Sequence, residues 1–310
     1  TLYDSMQSIA ITLVLVLGLI ILVISVLYSG QVVMPMKEVA GSIAMISSGD
    51  FNETMQITGY SEAEDISDKF NSMLSVLQNL EDARQEFVSN VSHELKTPIT
   101  SVKVLAESLI GQENVPVELY QEFMVDINEE LERMNKIIND LLTLVKMDKN
   151  ASEVNISEVN INEFLEAILK QLQPIADKRN IEMIFESVRS VTAQVDEVKL
   201  AMAFRNLIEN AIKYNYDNGW VRVSLNADHK FFYLKVSDSG VGIPEELQDS
   251  IFERFYRVDK GRSKLTGGTG LGLAITKGAV QLLRGSIKVE SIQGEGSVFT
   301  VKIPLTRSLA

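Results

Sequence analysis

Phe87–Pro98, with the sequence FVSNVSHELKTP, is the stretch that decides the fold, because two helical repeats meet within it. Upstream of it, apolar residues recur at alternating spacings of four and three, which is the a/d pattern of a coiled coil. The positions of this seam are Ile66, Phe70, Met73, Leu77, Leu80, Arg84, Phe87 and Val91, of which only Arg84 is polar. A single helix must bury such a seam, and pairing in a two-fold dimer is the simplest way to do so.

The heptad phase changes at the turn that contains His93. The downstream seam consists of Leu95, Pro98, Val102, Leu105 and Leu109. Val91 to Leu95 is a second consecutive step of four residues, so the phase slips by one position. Pro98 deprives the carbonyl of Glu94 of its helical donor, and we therefore expect a bend. His93 lies off the seam in both phases, which predicts an imidazole that is displayed to solvent.

A second heptad helix follows after a short connection. Gly111–Val117, with the sequence GQENVPV, has the composition of a loop. The apolar positions of the second helix are Tyr120, Met124, Ile127, Leu131, Met134, Ile138, Leu141 and Val145. Two such helices predict an antiparallel helical hairpin, and two hairpins predict a dimeric four-helix bundle.

The N-terminal part of the chain contains an uncharged apolar run. Ile9–Tyr28 holds 20 residues, which as a helix would span about 30 Å, the thickness of the hydrocarbon layer. A signal peptide would have a charged start, and a buried core helix would rarely lack a polar face. The run therefore predicts a transmembrane helix. Lys37 follows it and no cation precedes it, which favours a cytoplasmic C-terminal side. We expect residues 1–8 to be the remnant of an extracytoplasmic portion, since the sequence starts with Thr1.

The composition limits the classes of function. The chain has 310 residues, of which 45% are hydrophobic and 23% charged, so it can bury a core. The net charge of −13 disfavours nucleic acid as a partner. The absence of cysteine excludes disulfides and thiolate metal sites and is compatible with a cytoplasmic body.

From Asn155 onward, helical and strand patterns are mixed. Helices are predicted for Ile161–Lys178, for the stretch from an Asp196 cap to Tyr214, and for Leu271–Leu283. Strands are predicted for Ile181–Glu186, Val191–Val195, Trp220–Asn226, Phe231–Val236, Ser286–Glu290 and Val298–Ile303. Paired strands with segregated helices predict an α+β sandwich with a largely antiparallel sheet.

One helix face in this part carries Asn206, Asn210 and Lys213, which are spaced at i, i+4 and i+7. Amide oxygens suit a hard cation, and the lysine suits phosphate. The same residues could equally be ordinary surface groups.

Two glycine-containing segments could also approach a ligand. Asp238–Gly242, DSGVG, places a carboxylate at a strand end and then glycines that let the backbone come close. Gly267–Gly272, GGTGLG, opens the last helix, where free N–H groups suit phosphate. Both could instead be plain tight turns, and neither matches a Walker A or a dinucleotide motif. Phe252–Lys264, between them, is basic, as expected for a mobile lid or for a solvated loop.

Together these segments resemble the motifs of bacterial sensor histidine kinases. In chain order they are similar to the phosphoacceptor box (87–98), the N box (206–214), the G1 box (238–244), the F box (252–257) and the G2 box (267–273) of that family. The resemblance implies a transmembrane helix at residues 9–29, a HAMP signal-relay module at 30–83, a dimerisation and histidine phosphotransfer domain at 84–150, and a catalytic ATP-binding domain of the Bergerat type at 151–310. Ser61–Ser67 departs from the HAMP pattern, because it lacks the glycine usual after the acidic-isoleucine step.

The resemblance also implies roles for individual residues. His93 would accept the phosphoryl group. Glu94 would orient or deprotonate the imidazole of His93, and Thr97 would support dephosphorylation of a partner regulator. Asn206 and Asn210 would hold Mg²⁺ and the phosphates of ATP. The residues that would complete the nucleotide site are Lys213, Tyr214, Asp238, Gly240, Gly242, Gly268, Gly270, Leu271 and Gly272, with Asp238 on the adenine amino group.

Three functions follow as expectations. The first is autophosphorylation of His93 from Mg-ATP and transfer to an aspartate of a cognate response regulator, by a homodimer anchored in membrane lipid, with its catalytic part in the bacterial cytoplasm. The only other histidine, His229, falls at a predicted hairpin tip. The second is a phosphatase-dominant scaffold that binds the regulator, motivated by Thr97. The third is a plain Bergerat-type ATPase, such as a chaperone or topoisomerase subunit, which the heptad hairpin disfavours.

Overall fold

The computed structural model describes residues 2–29, 37, 40–41, 61–111, 115–149, 154–258 and 268–306. The chain divides into two compact units, residues 1–89 and 90–310. Most of residues 30–60, where the HAMP module is expected to begin, lie outside the described residues, as do Lys260, Arg262 and Lys264 of the predicted basic segment and Gly267.

The first helix, α1, runs from Leu2 to Tyr28. Within it, Ser5–Tyr28 has a mean hydropathy of 3.2, and its side chains are not buried by the rest of the protein. Among the described residues, this is the one helix that is long and apolar enough to cross a membrane.

Two long helices follow. The helix α2 (Ser61–Ile110) contains Pro98 without interruption, so the helix continues past the proline and past the phase slip. The helix α3 (Val117–Lys149) begins after a connection of six residues, which requires the two helices to run in opposite directions. A groove of about 700 Å³ is lined by residues of both, including His93, Thr97 and Glu130. The helical hairpin predicted from the heptads is thus present.

The remaining residues form the α+β domain that the pattern predicted. Its helices are α4 (Ile161–Asp177), α5 (Glu197–Lys213) and α6 (Gly272–Leu282). Its strands are β1 (Ser157–Asn160), β2 (Glu182–Ser187), β3 (Thr192–Val195), β4 (Trp220–Ala227), β5 (Phe231–Asp238), β6 (Ser286–Ile292) and β7 (Gly296–Pro304). Short 3₁₀ turns lie at Glu245–Leu247 and Ser250–Phe252.

The main sheet has the strand order β2-β4-β5-β7-β6. Only the β2–β4 pair is parallel among these, and the other three pairs are antiparallel. Alternate residues of the central strands face a core that three helices cover, as the period of two requires. The buried residues of β4, β5 and β7 are Val221, Val223, Leu225, Phe232, Leu234, Val236, Phe299, Val301 and Ile303. The domain is therefore a two-layer sandwich of one sheet and three helices.

The helix α5, which carries the predicted N box, starts at a well-defined cap. The side chain of Asp196 accepts hydrogen bonds from the backbone N–H groups of Val198 and Lys199, both at 3.1 Å. This is the N-cap arrangement that the sequence predicted. The cap fixes where the helix begins, and the buried residues Phe204, Leu207 and Ile208 fix which face is turned to solvent.

Candidate functional site

His93 lies on α2 with an exposed side chain, as its position off the seam predicted. The hydroxyl of Thr97 donates to the carbonyl oxygen of His93 at 3.2 Å, one turn further along the helix. Glu94 is partly buried, and its carboxylate forms an ion pair of 3.6 Å with Arg257. The turn that displays the imidazole is therefore joined to the segment that resembles the F box.

The asparagine face of α5 lies against the first turn of α6. The amide nitrogen of Asn206 donates to the hydroxyl of Thr276 at 2.8 Å. A Cβ atom on Gly272 would come within 2.4 Å of the amide oxygen of Asn206, so any larger residue there would displace this amide. Two segments that are 66 residues apart in the numbering thus share one surface, with Asn210 one helical turn further on α5.

Lys213 and Tyr214 close the other end of this surface. A Cβ atom on Gly268 would lie 3.0 Å from the ammonium nitrogen of Lys213 and 3.1 Å from the hydroxyl of Tyr214. Burial and the neighbouring cation Lys136 lower the pKa of Lys213 to about 8, against the opposing effect of the Glu209 carboxylate. Burial also raises the pKa of Tyr214. A lysine among other cations can bind a phosphate, which would offset their mutual repulsion.

Asp238 is the buried carboxyl of the site, at the end of β5. Its Oδ1 atom accepts hydrogen bonds from the backbone N–H groups of Gly240 at 2.9 Å and Ser297 at 3.3 Å. Oδ2 has no hydrogen bond from the residues that the structure describes, which leaves it available to a ligand donor. Burial raises the pKa of Asp238 to about 6, against the effect of these two bonds.

Gly240 and Gly242 shape the loop after Asp238. A Cβ atom on Gly240 would meet the carbonyl oxygen of Tyr214 at 2.4 Å, so this loop packs directly on the end of α5. Gly242 has a φ of +65°, and a Cβ there would also collide with the carbonyl of Ile292. Substitution at Gly240 would push the loop away from Tyr214, and substitution at Gly242 would push it away from Ile292.

Gly270 interlocks with the segment that resembles the F box. It has a φ of +70°, and a Cβ atom would lie 2.8 Å from the carbonyl carbon of Phe255. The backbone N–H of Phe255 donates to the carbonyl of Gly270 at 2.9 Å. The glycine-rich segment and the segment Phe252–Arg257 therefore form one unit.

Leu271 differs from the other residues of the expected nucleotide set. Its side chain is fully buried in an apolar cluster with Leu144 of α3 and Ile275 of α6. Its backbone N–H donates to the hydroxyl of Thr269 at 3.2 Å. Leu271 thus joins the glycine-rich segment to the hairpin.

Polar contacts between described residues join the hairpin to the nucleotide surface. The hydroxyl of Thr269 donates to Asp140 of α3 at 2.8 Å, and Lys136 pairs with Glu209 of α5 at 3.3 Å. A further contact is the pair between Arg257 and Glu94. Sequence reasoning missed Lys136 and Asp140 as site residues, because nothing local in the heptads of α3 marks them, and it missed Thr269, which lies among the glycines of the segment before α6.

The residues of the site can be compared with what binding of a divalent cation requires. No group of three or more His, Cys, Asp and Glu side chains that could hold a metal occurs among the described residues. The available donors are the amide oxygens of Asn206 and Asn210. Mg²⁺ is usually held by few protein oxygens together with waters and substrate phosphates, so these two amides fit a cation that arrives with a nucleotide.

Comparison with known proteins agrees with this geometry. Residues 83–150 match the family model of the His Kinase A (phospho-acceptor) domain. Residues 195–307 match that of histidine kinase-, DNA gyrase B- and HSP90-like ATPases. An ATP-binding domain of this family therefore follows a phospho-acceptor hairpin.

Curated relatives cover both domains. The sensor histidine kinase WalK of Bacillus subtilis (strain 168) is 36% identical over 230 residues, which are 73% of this chain and 38% of that protein. A sensor protein kinase WalK of Staphylococcus aureus is 36% identical over 276 residues, which are 87% of this chain and 64% of that protein. The chain thus spans between about two fifths and two thirds of the length of these relatives.

Solved structures show the same architecture. The histidine kinase AdeS of Acinetobacter baumannii has a TM-score of 0.56 and 26% identity, covering 69% of this chain and 98% of AdeS. The fold is also that of the histidine kinase ThkA in its complex with the response regulator protein TrrA, with a TM-score of 0.62 and 24% identity over 75% of this chain and 65% of ThkA. The two family models, the relatives and the fold agree, and the chain belongs to the bacterial sensor histidine kinases.

Proposed function

We propose that this chain transfers the γ-phosphoryl group of ATP to His93 and then to an aspartate of a response regulator. The observation that carries the proposal is the ion pair between Glu94 and Arg257, which joins the turn displaying His93 to the nucleotide surface. Two nitrogen atoms of Arg257, Nε and Nη2, are buried without a hydrogen-bond partner among the described residues. Buried unpaired donors of this kind fit an anionic ligand such as a phosphate.

In the proposed reaction, an imidazole nitrogen of His93 attacks the γ-phosphorus. The bond from phosphorus to the bridging oxygen breaks, ADP leaves with the electron pair, and the imidazole proton passes to Glu94 or to water. Glu94 would also orient the imidazole for attack. Phosphoryl transfer needs little beyond positioning and charge stabilisation, which the nucleotide surface supplies.

The nucleotide would lie along the surface between α5 and α6. Asp238 would accept the adenine amino group, next to Gly240 and Gly242. Asn206 and Asn210 would hold Mg²⁺, which when bound neutralises charge on the phosphates. The residues that would border the phosphates are Lys213, Tyr214, Gly268, Gly270, Leu271 and Gly272.

Thr97 supports a further part of the proposal, dephosphorylation of the regulator. It lines the same groove between α2 and α3 as His93, one helical turn away. A hydroxyl at that place could position a water for attack on a regulator's acyl phosphate. In the ThkA complex, the neighbouring protein is a response regulator, which supports the same class of partner here.

The proposed organisation is a membrane-anchored homodimer. Residues 9–29 would span the bacterial cytoplasmic membrane in contact with lipid, 30–83 would form a HAMP module, 84–150 the dimerisation and phosphotransfer domain, and 151–310 the catalytic domain in the cytoplasm. Half-exposed apolar residues on both hairpin helices, such as Ile99 and Val145, support dimerisation through the hairpin.

Labelling with γ-phosphate-labelled ATP tests the proposal. The wild-type chain should gain label that is stable in alkali and labile in acid, and His93→Gln should abolish it. His229→Gln is the matched control, because His229 is the only other histidine and lies in the turn between β4 and β5. Label that survives His93→Gln would exclude His93 as the acceptor. For the regulator, Thr97→Ala should slow loss of its phosphoryl group while labelling of His93 persists.

A further inference from the structure

Arg179 lies in the turn between α4 and β2, and its side chain donates an unusual number of hydrogen bonds. Its Nη1 donates to the carbonyl oxygens of Ile212 at 2.8 Å and Lys213 at 2.9 Å. Its Nη2 donates to the carbonyl oxygen of Asn215 at 2.7 Å, and its Nε donates to the carboxylate of Asp217 at 2.9 Å. One guanidinium group therefore binds three backbone carbonyl groups at the C-terminal end of α5.

This end of a helix has an intrinsic need for donors. The last carbonyl groups of an α-helix have no intrahelical partner, and the negative end of the helix dipole lies there. A planar guanidinium with five N–H groups in a fixed geometry can satisfy several of them at once, whereas a lysine offers one freely rotating ammonium group. Arg179 thus determines the direction in which the chain leaves α5.

The backbone that Arg179 holds also borders the nucleotide surface. The bonded carbonyls of Lys213 and Asn215 flank Tyr214, whose own carbonyl accepts a hydrogen bond from the N–H of Val241 at 3.1 Å. The side chain of Asn215 is buried and accepts a hydrogen bond from the hydroxyl of Ser239 at 3.1 Å. The turn fixed by Arg179 is therefore the one on which the loop after Asp238 packs.

We propose that Arg179 is a positioning residue for the nucleotide site, which sets the place of Lys213 and Tyr214 and of the loop Asp238–Gly242 without touching the ligand. The inference rests on the proposed function of that site in ATP binding. Its chemical basis is that the three backbone bonds lie on residues 212, 213 and 215, which surround the predicted ligand residues rather than any other part of the domain.

Binding of a non-hydrolysable ATP analogue, with magnesium, to the full chain in detergent tests this. Arg179→Ala should weaken binding roughly tenfold or more, the usual size of losing a group that orients ligand residues. Arg179→Lys should weaken it less than Arg179→Ala, because an ammonium can restore some of the bonds to the carbonyls, but it should not reach the wild-type affinity, because it cannot restore all three. Asp217→Asn is the matched control: it removes the exposed ion pair but leaves the bonds to the carbonyls, and should change affinity less than about twofold.

A double-mutant cycle separates positioning from stability. If Arg179 acts through Lys213, then Arg179→Ala should cost less affinity in a Lys213→Ala background than in the wild type. A purely structural role would lower the melting temperature and leave the affinity unchanged well below it. Wild-type affinity in folded Arg179→Ala or Arg179→Lys, at a temperature where the melting curve shows native protein, overturns the inference. Failure of the wild-type chain to bind the analogue would instead overturn the proposed function on which the inference rests.

Discussion

Replacing Asp238 by asparagine should remove a pH dependence that this buried carboxyl imposes on nucleotide binding. The side chain is only 8% exposed, and burial raises its pKa to about 6. An adenine amino group needs an acceptor, and the ionised carboxylate is a far better acceptor than the protonated acid. Asparagine keeps an acceptor oxygen for the N–H groups of Gly240 and Ser297 but cannot take up a proton in this range.

The structure gives the size and the sign of two linked effects. Below pH 6 the ionised fraction of Asp238 falls about tenfold for each pH unit, and the affinity for the nucleotide should fall with it. Stability of the unliganded domain should change in the opposite sense. The pKa of Asp238 in the folded state lies above its unfolded value of 3.8. The contribution of this carboxyl to the free energy of unfolding is therefore fully present below pH 3.8 and is lost as the pH rises through 6. The difference is on the order of 3 kcal/mol.

Titration of an ATP analogue against the full chain between about pH 5 and about pH 8 measures the first effect, and denaturant melts without ligand measure the second. The phosphates of the analogue titrate in the same range, but they do so equally for the wild type and for Asp238→Asn. The ratio of the two affinities therefore isolates the carboxyl. Parallel pH profiles for the two proteins would refute the assignment of Asp238 as the adenine acceptor with a raised pKa.

Two further predictions concern α5 and α6. Gly272→Ala should weaken binding of the analogue roughly tenfold, because its Cβ would displace the amide of Asn206. Gly278→Ala is the control, because its Cβ would meet only Met147 at 3.8 Å. It should keep the affinity and stabilise α6 by up to about 1 kcal/mol. Equal affinities of the two variants for the analogue would contradict the prediction for Gly272→Ala. Asp196→Ala should lower the free energy of unfolding by about 1 kcal/mol in denaturant melts, since it removes the two cap bonds to Val198 and Lys199.

Local patterns in the sequence predicted much of the fold. The strands β4 and β5 begin at Trp220 and Phe231, where alternation of apolar residues placed their starts. The cap of α5 was predicted from Asp196, because capping is a contact between residues two and three positions apart. Strand β1, Ser157–Asn160, was missed, since it has only one buried apolar residue and exists through its pairing with β3.

Contacts between distant segments could not be predicted in this way. Asp140 and Thr269 are 129 residues apart, and neither carries a pattern that announces the other. Arg179 occupies a turn, where a basic residue would be expected to be solvated, and its partners lie 33 to 38 residues further on. Such groups become recognisable only when the fold brings their partners together, whereas the glycines and asparagines of the candidate site form short local patterns that can be read from the sequence.

The helix α3 shows how a correct pattern can still be incomplete. The heptads placed Ile138 and Val145 on the buried seam, yet these side chains are 42% and 43% exposed in the single chain. Ile137 and Leu144, one residue earlier, are 1% and 4% exposed, and Leu144 packs against Leu271 and Ile275 of α6. A shift of one residue turns a helix by about 100°, so α3 carries two apolar stripes. The stripe predicted from the heptads is mostly exposed in the single chain, except that Leu141 packs against the apolar cluster of Leu271 and Ile275. The neighbouring stripe, whose members Ile137 and Leu144 are also seven residues apart, is buried, and Leu144 contacts the same cluster. The heptad period therefore marks both stripes and does not by itself tell which one the fold of the single chain buries.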